Sequence, residues 1–86
     1  MHVNPVLTDL FNDYNEAVNK IARREHRGVR TIEVDDIAQH VWAVISQKSI
    51  DPGHSTGTDF RTWEFRGVCD LITKIAREYV ARERID

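Results

Sequence analysis

Apolar residues recur at intervals of three and four positions along three separate stretches of this sequence. This spacing places side chains on one face of an α-helix, so each stretch predicts an amphipathic helix. We expect the helices to span about residues 5–27, 31–47 and 59–84. Because 86 residues can supply only one core, we predict a single all-α, compact three-helix domain over residues 1–86.

Local signals support the ends of these segments. Asn4 can accept a hydrogen bond from a free amide of the first helical turn, and Pro5 suits the first helical position. Gly28 is a typical stop signal for the first helix. Residues 48–58 contain a Pro-Gly turn and few apolar side chains, so they predict a loop before the third helix.

The composition excludes several classes of protein. Hydrophobic residues make up 41% of the chain and charged residues 30%, fractions typical of a soluble globular protein. No apolar run approaches the roughly 20 residues that span a bilayer, so we expect no membrane contact and a cytoplasmic location. Cys69 is the only cysteine, so no internal disulfide can form. The net charge of −2 gives no overall attraction to nucleic acid.

No motif in the sequence predicts an enzyme. The histidines fall in separate segments, without the i, i+4 pairing of a metal-binding helix, and no phosphate-binding or dinucleotide-binding glycine pattern is present. The acidic cluster of Glu33, Asp35 and Asp36 is open to two interpretations. It is a cation site or, as we favour, a group of carboxylates stabilised at a helix start. We predict no catalytic residue, metal or cofactor.

The second helix carries a polar strip beside its apolar face. Asp36, Gln39 and His40 are three and four positions apart, and Asp35 adjoins them. Such a strip can bind basic side chains of a partner protein. The alternative is a solvated face without a partner.

An aromatic group opens the third predicted helix, where Phe60, Trp63 and Phe65 alternate with Arg61 and Arg66. Phe60 and Trp63 can face the core, whereas Phe65 lies two positions from Trp63, so we expect one exposed ring. An exposed ring beside arginine can stack on an unpaired base while the cation binds phosphate. The alternative is that all three rings pack between helices.

A basic stretch ends the first helix. Its members are Arg23, Arg24, His26, Arg27 and Arg30, interrupted by Glu25. The stretch can bind phosphate or an acidic protein surface, or it can simply complement the negative end of the helix dipole. Both interpretations stay open.

Two of these segments together resemble bacterial sigma factors of the extracytoplasmic-function type. Residues 35–42, with the sequence DDIAQHVW, are similar to the family's acidic-Asp-Leu-Val-Gln-Glu-apolar-Phe helix. Residues 60–66, FRTWEFR, are similar to its Phe-x-x-Trp-Leu-Tyr-Arg motif, and the spacing between the two motifs is also that of the family. The resemblance covers about half of the chain and implies the fold of sigma-factor domain 2.

The resemblance implies two sets of contact residues. In sigma factors, the helix that resembles residues 35–42 docks on the clamp helices of the largest RNA polymerase subunit. The residues that the resemblance implies for this contact are Asp35, Asp36, Gln39 and His40. In sigma factors, the motif that resembles residues 60–66 lies at the start of the helix that melts and reads promoter DNA. The residues implied there are Arg61, Trp63, Phe65, Arg66, Lys74 and Arg77. Single-stranded promoter DNA and a regulatory protein are thus further expected partners.

We therefore predict a sigma-like transcription regulator that binds core RNA polymerase, with weak promoter contact. Because the sequence ends after this region, we expect a free-standing domain, of the kind a phage or mobile element encodes, and not a complete sigma factor. Two alternatives remain open: a stand-alone DNA-binding module, and a helical protein-interaction domain that retains only the fold. The balanced charge of the third helix argues against the first of these.

Overall fold

A computed structural model describes residues 4–51 and 56–83, and it confirms the predicted all-α, three-helix fold. Helix α1 spans Pro5–His26, α2 spans Val34–Lys48 and α3 spans Phe65–Glu83. A short 3₁₀ helix, Phe60–Thr62, precedes α3. Each α-helix packs against the other two.

The predicted apolar faces meet in one core. The most deeply buried large side chains are Val6, Leu10, Val18, Ile37, Val41 and Ile72, which come from all three α-helices. Burying each such side chain contributes about 1.5–3 kcal/mol before the entropy of folding is subtracted. None of the helices in the described ranges is long and apolar enough to cross a membrane.

The start of α1 forms as predicted. The side-chain oxygen of Asn4 accepts hydrogen bonds from the amides of Val6 at 3.0 Å and Leu7 at 3.4 Å, and Pro5 occupies the first helical position. The Asn4 side-chain amide also donates to the carbonyl of Ile50 at 3.0 Å. One residue thus caps α1 and binds the segment that follows α2.

Helix α2 begins at Val34, three residues later than expected from the sequence. After α1, Arg27 and Gly28 both adopt positive φ angles, of 50° and 75°, which turn the chain away from the helix axis. The following helix cannot form until the chain has reversed, and Glu33 is still extended. The carboxylate of Asp36 then accepts a hydrogen bond from the Glu33 amide at 2.8 Å and fixes the start of α2.

The expectation of a continuous third helix from residue 59 is wrong. Asp59 accepts a hydrogen bond from the Arg61 amide at 3.0 Å, so the chain closes into the 3₁₀ helix, and Trp63 is extended before α3 begins. Phe60 is buried at 2% exposure, as predicted. Trp63, also predicted to be buried, is 42% exposed because it no longer shares a helix face with Phe60.

The predicted loop of residues 48–58 is closed by backbone pairing at its two ends. The amide of Ile50 donates to the carbonyl of Thr58 at 2.9 Å, and the amide of Thr58 donates to the carbonyl of Lys48 at 2.8 Å. Gly57 adopts φ 101°, and a β-carbon there would lie 2.7 Å from the carbonyl oxygen of Ser49. Residues 52–55 lie outside the described part of the chain.

A buried carboxylate joins α1 to α3. Glu25 is 4% exposed, and its two oxygens accept hydrogen bonds from Arg77 at 3.0 Å and Arg24 at 3.1 Å. Burial alone raises the pKa of the Glu25 carboxyl, but the hydrogen bonds and charges of the two arginines outweigh burial and hold the pKa below its ordinary value. Glu25 is therefore ionised at neutral pH and stabilises the pairing of α1 with α3.

We expect Gly57→Ala to lower the free energy of unfolding by at least about 2 kcal/mol, because a left-handed φ and a close backbone contact both oppose the new methyl group. Gly28→Ala is the matched control, since Gly28 also has positive φ but nothing within 4 Å of its β-carbon position. That variant should lose only about 1 kcal/mol. Urea unfolding measures both, and equal losses would show that the contact with Ser49 contributes nothing.

We expect Glu25→Gln to reduce the free energy of unfolding at pH 7 by about 2 kcal/mol, because it removes charge-assisted hydrogen bonds. Since the folded pKa is depressed, the stabilisation is full above the unfolded pKa of about 4.3 and is lost as pH falls below it. The gap between wild type and variant should therefore narrow from pH 6 to pH 3 in urea titrations.

Glu16→Gln is the control for that comparison. Glu16 pairs with Lys20 at 3.4 Å, but its side chain is 84% exposed. An exposed i, i+4 pair contributes about 0.5 kcal/mol or less. A Glu25→Gln variant that behaves like Glu16→Gln would contradict the structural role of Glu25.

Candidate functional site

The polar strip of α2 lies on the solvent side of that helix. Ile37 and Val41 face the core at 0% exposure, while Asp35, Asp36 and Gln39 are exposed. We call these three exposed residues the acidic strip. Asp35 and Gln39 make no side-chain hydrogen bond or ion pair within the described ranges, and Asp36 is engaged only with the backbone of Glu33. The acidic strip therefore presents two carboxylates without a cationic partner in this part of the chain.

His40 is turned from the acidic strip toward α3. Its ring stacks on that of Tyr79, with ring centroids 4.4 Å apart, and the side chain is half-buried. Burial lowers the pKa of His40, and the nearby charge of Arg82 lowers it further. His40 is thus neutral at pH 7 and borders the strip as an aromatic ring.

The cation of Arg61 is occupied by neighbouring carboxylates. Its guanidinium donates two hydrogen bonds of 2.9 Å to Asp59 and lies 3.4 Å from Asp9. Hydrogen bonds from Arg61 hold the pKa of Asp59 below its ordinary value, so both groups are charged. A phosphate approaching Arg61 would meet two carboxylates at the same position.

The exposed aromatic rings lie on different sides of α3. Phe65 is 61% exposed and stacks on Tyr14 with a centroid distance of 5.3 Å. Trp63 packs its edge against Phe60 at 5.0 Å and lies beside Gly67. Positions 65 and 67 are two residues apart, which separates them by about 200° around a helix. The two rings therefore do not form one stacking platform. One exposed ring was expected from the sequence, and the structure exposes two, Trp63 and Phe65.

The remaining cations of α3 do not act as one group. Arg77 is held by Glu25 at 3.0 Å, whereas Arg66 and Lys74 are exposed and have no ion-pair partner among the described residues. Lys74 borders the cleft between α2 and α3, beside His40. The six residues implied for nucleic-acid contact are thus divided among three environments, and two of their four cations, Arg61 and Arg77, are already paired with carboxylates.

The basic stretch that ends α1 is divided in the same way. Arg24 binds Glu25 and donates to the hydroxyl of Thr73 at 3.2 Å, while the ring of His26 hydrogen-bonds the carbonyl of Ile32 at 2.7 Å. Arg23 and Arg27 are exposed. In residues 4–51 and 56–83, no three histidine, cysteine or acidic side chains come together as a metal site.

Glu25 is the structural residue that the sequence interpretation missed. Its position continues the apolar stripe of α1, three residues after Ala22 and four after Ile21. A carboxylate on a buried helix face needs a cationic partner. That register was a usable signal for a buried ion pair, although it could not identify Arg77, 52 positions away, as the partner.

We expect His40 to make folding sensitive to mild acid. Because its folded pKa lies below the unfolded value of 6.5, stability is full above that pH and falls as the pH drops through it. His40→Phe retains an aromatic ring beside Tyr79 but cannot be protonated. Between pH 7 and pH 5 the midpoint of thermal unfolding should fall further for wild type than for this variant. Identical shifts would show that the His40–Tyr79 stack is insensitive to charge.

Comparisons of the chain with protein-family models, with curated proteins and with solved structures find no match. The resemblance to sigma factors consequently rests on the two motifs at residues 35–42 and 60–66 and on their spacing.

Proposed function

We propose that this chain is a sigma-like transcription regulator that binds bacterial core RNA polymerase through the acidic strip of α2. One observation carries the proposal. Within the motif at residues 35–42, the apolar positions Ile37 and Val41 are buried, while Asp35, Asp36 and Gln39 are exposed together. A docking helix needs this division, because it must hold its own fold while presenting a polar surface to a partner.

The charge of the strip supports a protein partner with basic side chains. Two carboxylates lie at the start of α2, and no lysine or arginine in the described ranges pairs with Asp35. Opposite charges across an interface accelerate association and fix its register. Arginine side chains on the partner would suit this strip, since arginine binds carboxylates with two parallel hydrogen bonds.

We do not propose promoter contact, because two of the four cations implied for it are already paired with carboxylates. Arg61 is paired with Asp59 and Asp9, and Arg77 with the buried Glu25. Trp63 and Phe65 lie on different sides of α3. A chain that docks on the clamp without these contacts would compete there with a complete sigma factor, and so regulate transcription by occupying its site.

Polymerase binding can be measured by titrating labelled protein with bacterial core RNA polymerase. We expect Asp35→Arg with Gln39→Ala to weaken binding at least about tenfold, equivalent to 1.4 kcal/mol. Asp36→Asn separates charge from helix capping, because an asparagine oxygen can still accept the hydrogen bond from the Glu33 amide. It should also weaken binding, and circular dichroism should show unchanged helix content.

The control is Arg23→Glu, a charge reversal at an exposed position of α1. It should bind polymerase like wild type. Binding that is absent in wild type, or equal in the strip variants and the control, would reject the proposal. Gel shifts at several salt concentrations test the DNA-binding alternative, since phosphate contacts give an affinity that falls steeply with salt.

A further inference from the structure

A groove of about 780 Å³ runs between α1 and α3, and the residues that line it come from these two helices alone. Phe65 lies at one end, beside Asp13, and Arg77 lies at the other, beside Arg24. Because Tyr14 contacts Phe65 and Glu25 contacts Arg77, α1 and α3 run parallel. Residues near the starts of the two helices therefore lie at one end of the groove, and residues farther along both helices lie at the other end.

The charges of this α1–α3 groove are segregated by sign. The acidic half contains Asp13, Glu16 and Asp70, and the basic half contains Lys20, Arg24 and Arg77. The interval from Asp13 to Arg24 corresponds to about 16 Å of helix. Each half thus carries three charges of one sign, and the lining of the groove as a whole is balanced.

The arginines of the basic half are held in place before any partner arrives. Both are anchored on the buried Glu25, yet their side chains remain 58% exposed for Arg24 and 61% exposed for Arg77. Arg24 is fixed further by its hydrogen bond to Thr73. Groups that are already ordered lose less entropy on binding, so this end of the groove is suited to receive carboxylates.

We propose that the α1–α3 groove is the interface of a twofold-symmetric homodimer. In such a dimer the same surface is used by both copies, and each residue meets its counterpart in reverse order. The acidic half of one groove then lies on the basic half of the other. The exposed ring of Phe65 comes opposite the partner's Arg24 and the partner's Arg77, where a guanidinium can stack on an aromatic face.

The balance of charge favours a second copy over nucleic acid. Three carboxylates in the groove would repel a phosphate backbone along half of its length. A second copy satisfies both halves at once, with no net charge left in the interface. The acidic strip of α2 does not line this groove, so dimer formation and polymerase docking use separate surfaces.

Analytical ultracentrifugation of the full chain tests the dimer against the 10.0 kDa mass of one copy. We expect wild type to associate reversibly and to dissociate as salt rises, because exposed charges are screened. The variant Asp13→Lys with Glu16→Lys makes both halves basic. The variant Lys20→Glu with Thr73→Glu removes the net positive charge of the basic half while leaving Glu25 and both arginines intact. Each variant alone should associate at least about tenfold more weakly than wild type.

An equimolar mixture of the two variants gives the decisive result. In the mixed dimer the half made basic in one variant meets the half whose positive charge is cancelled in the other, and the two unchanged halves still pair. The mixture should therefore recover association while its separate components do not. Phe65→Ser should weaken the wild-type dimer without unfolding the chain, since that ring is 61% exposed. Asp35→Arg with Gln39→Ala should leave the dimer unchanged, which separates this test from that of polymerase binding.

The proposal is overturned by a wild type that sediments as a single copy at every concentration. It is equally overturned by variants that associate as strongly as wild type, or by a mixture that fails to recover association. Circular dichroism of each variant confirms that a loss of association does not arise from unfolding.

Discussion

The carboxylate of Glu25 lies buried between α1 and α3, where Arg77 and Arg24 donate hydrogen bonds to its two oxygens. A buried charge without such partners would destabilise the fold by several kcal/mol, about 3–5 for a broken pair. The same contact lies between the parallel helices α1 and α3 and fixes two arginines at one end of the α1–α3 groove. It pairs Arg77 with a carboxylate while leaving 61% of the Arg77 side chain exposed. One ion-pair cluster therefore links stability, the arrangement of the helices and the choice of partner.

The local charge distribution supports a protein-binding function over a nucleic-acid-binding one. Arg61 is neutralised by Asp59 and Asp9, and the positive and negative charges that line the α1–α3 groove are equal in number. The acidic strip, by contrast, has carboxylates without cationic partners in the described ranges. Local fields decide such contacts when the net charge is only −2. Both surfaces proposed here, the acidic strip and the α1–α3 groove, use charge complementarity toward protein.

The sequence predicted what depends on periodicity and missed what depends on contacts between distant residues. The apolar spacing was sufficient for three helices and for the capping of α1 by Asn4, because these are local properties. The start of α3 was misplaced because the side chain of Asp59 closes a 3₁₀ helix, which apolar spacing does not reveal. The exposed face of α2 was predictable because the spacing of its apolar residues identifies the buried face. The pairing of Arg61 with Asp9, 52 positions away, depends on the packing of the 3₁₀ helix against α1.

Site-specific photo-crosslinking tests most directly the proposal that α2 docks on RNA polymerase through its exposed face. A photoreactive amino acid would replace Gln39 in one preparation and Arg23, on the exposed side of α1, in another. With bacterial core polymerase, we predict a crosslink from position 39 to the clamp helices of the largest subunit and none from position 23. Equal crosslinking from both positions, or no polymerase crosslink from position 39, would contradict the account.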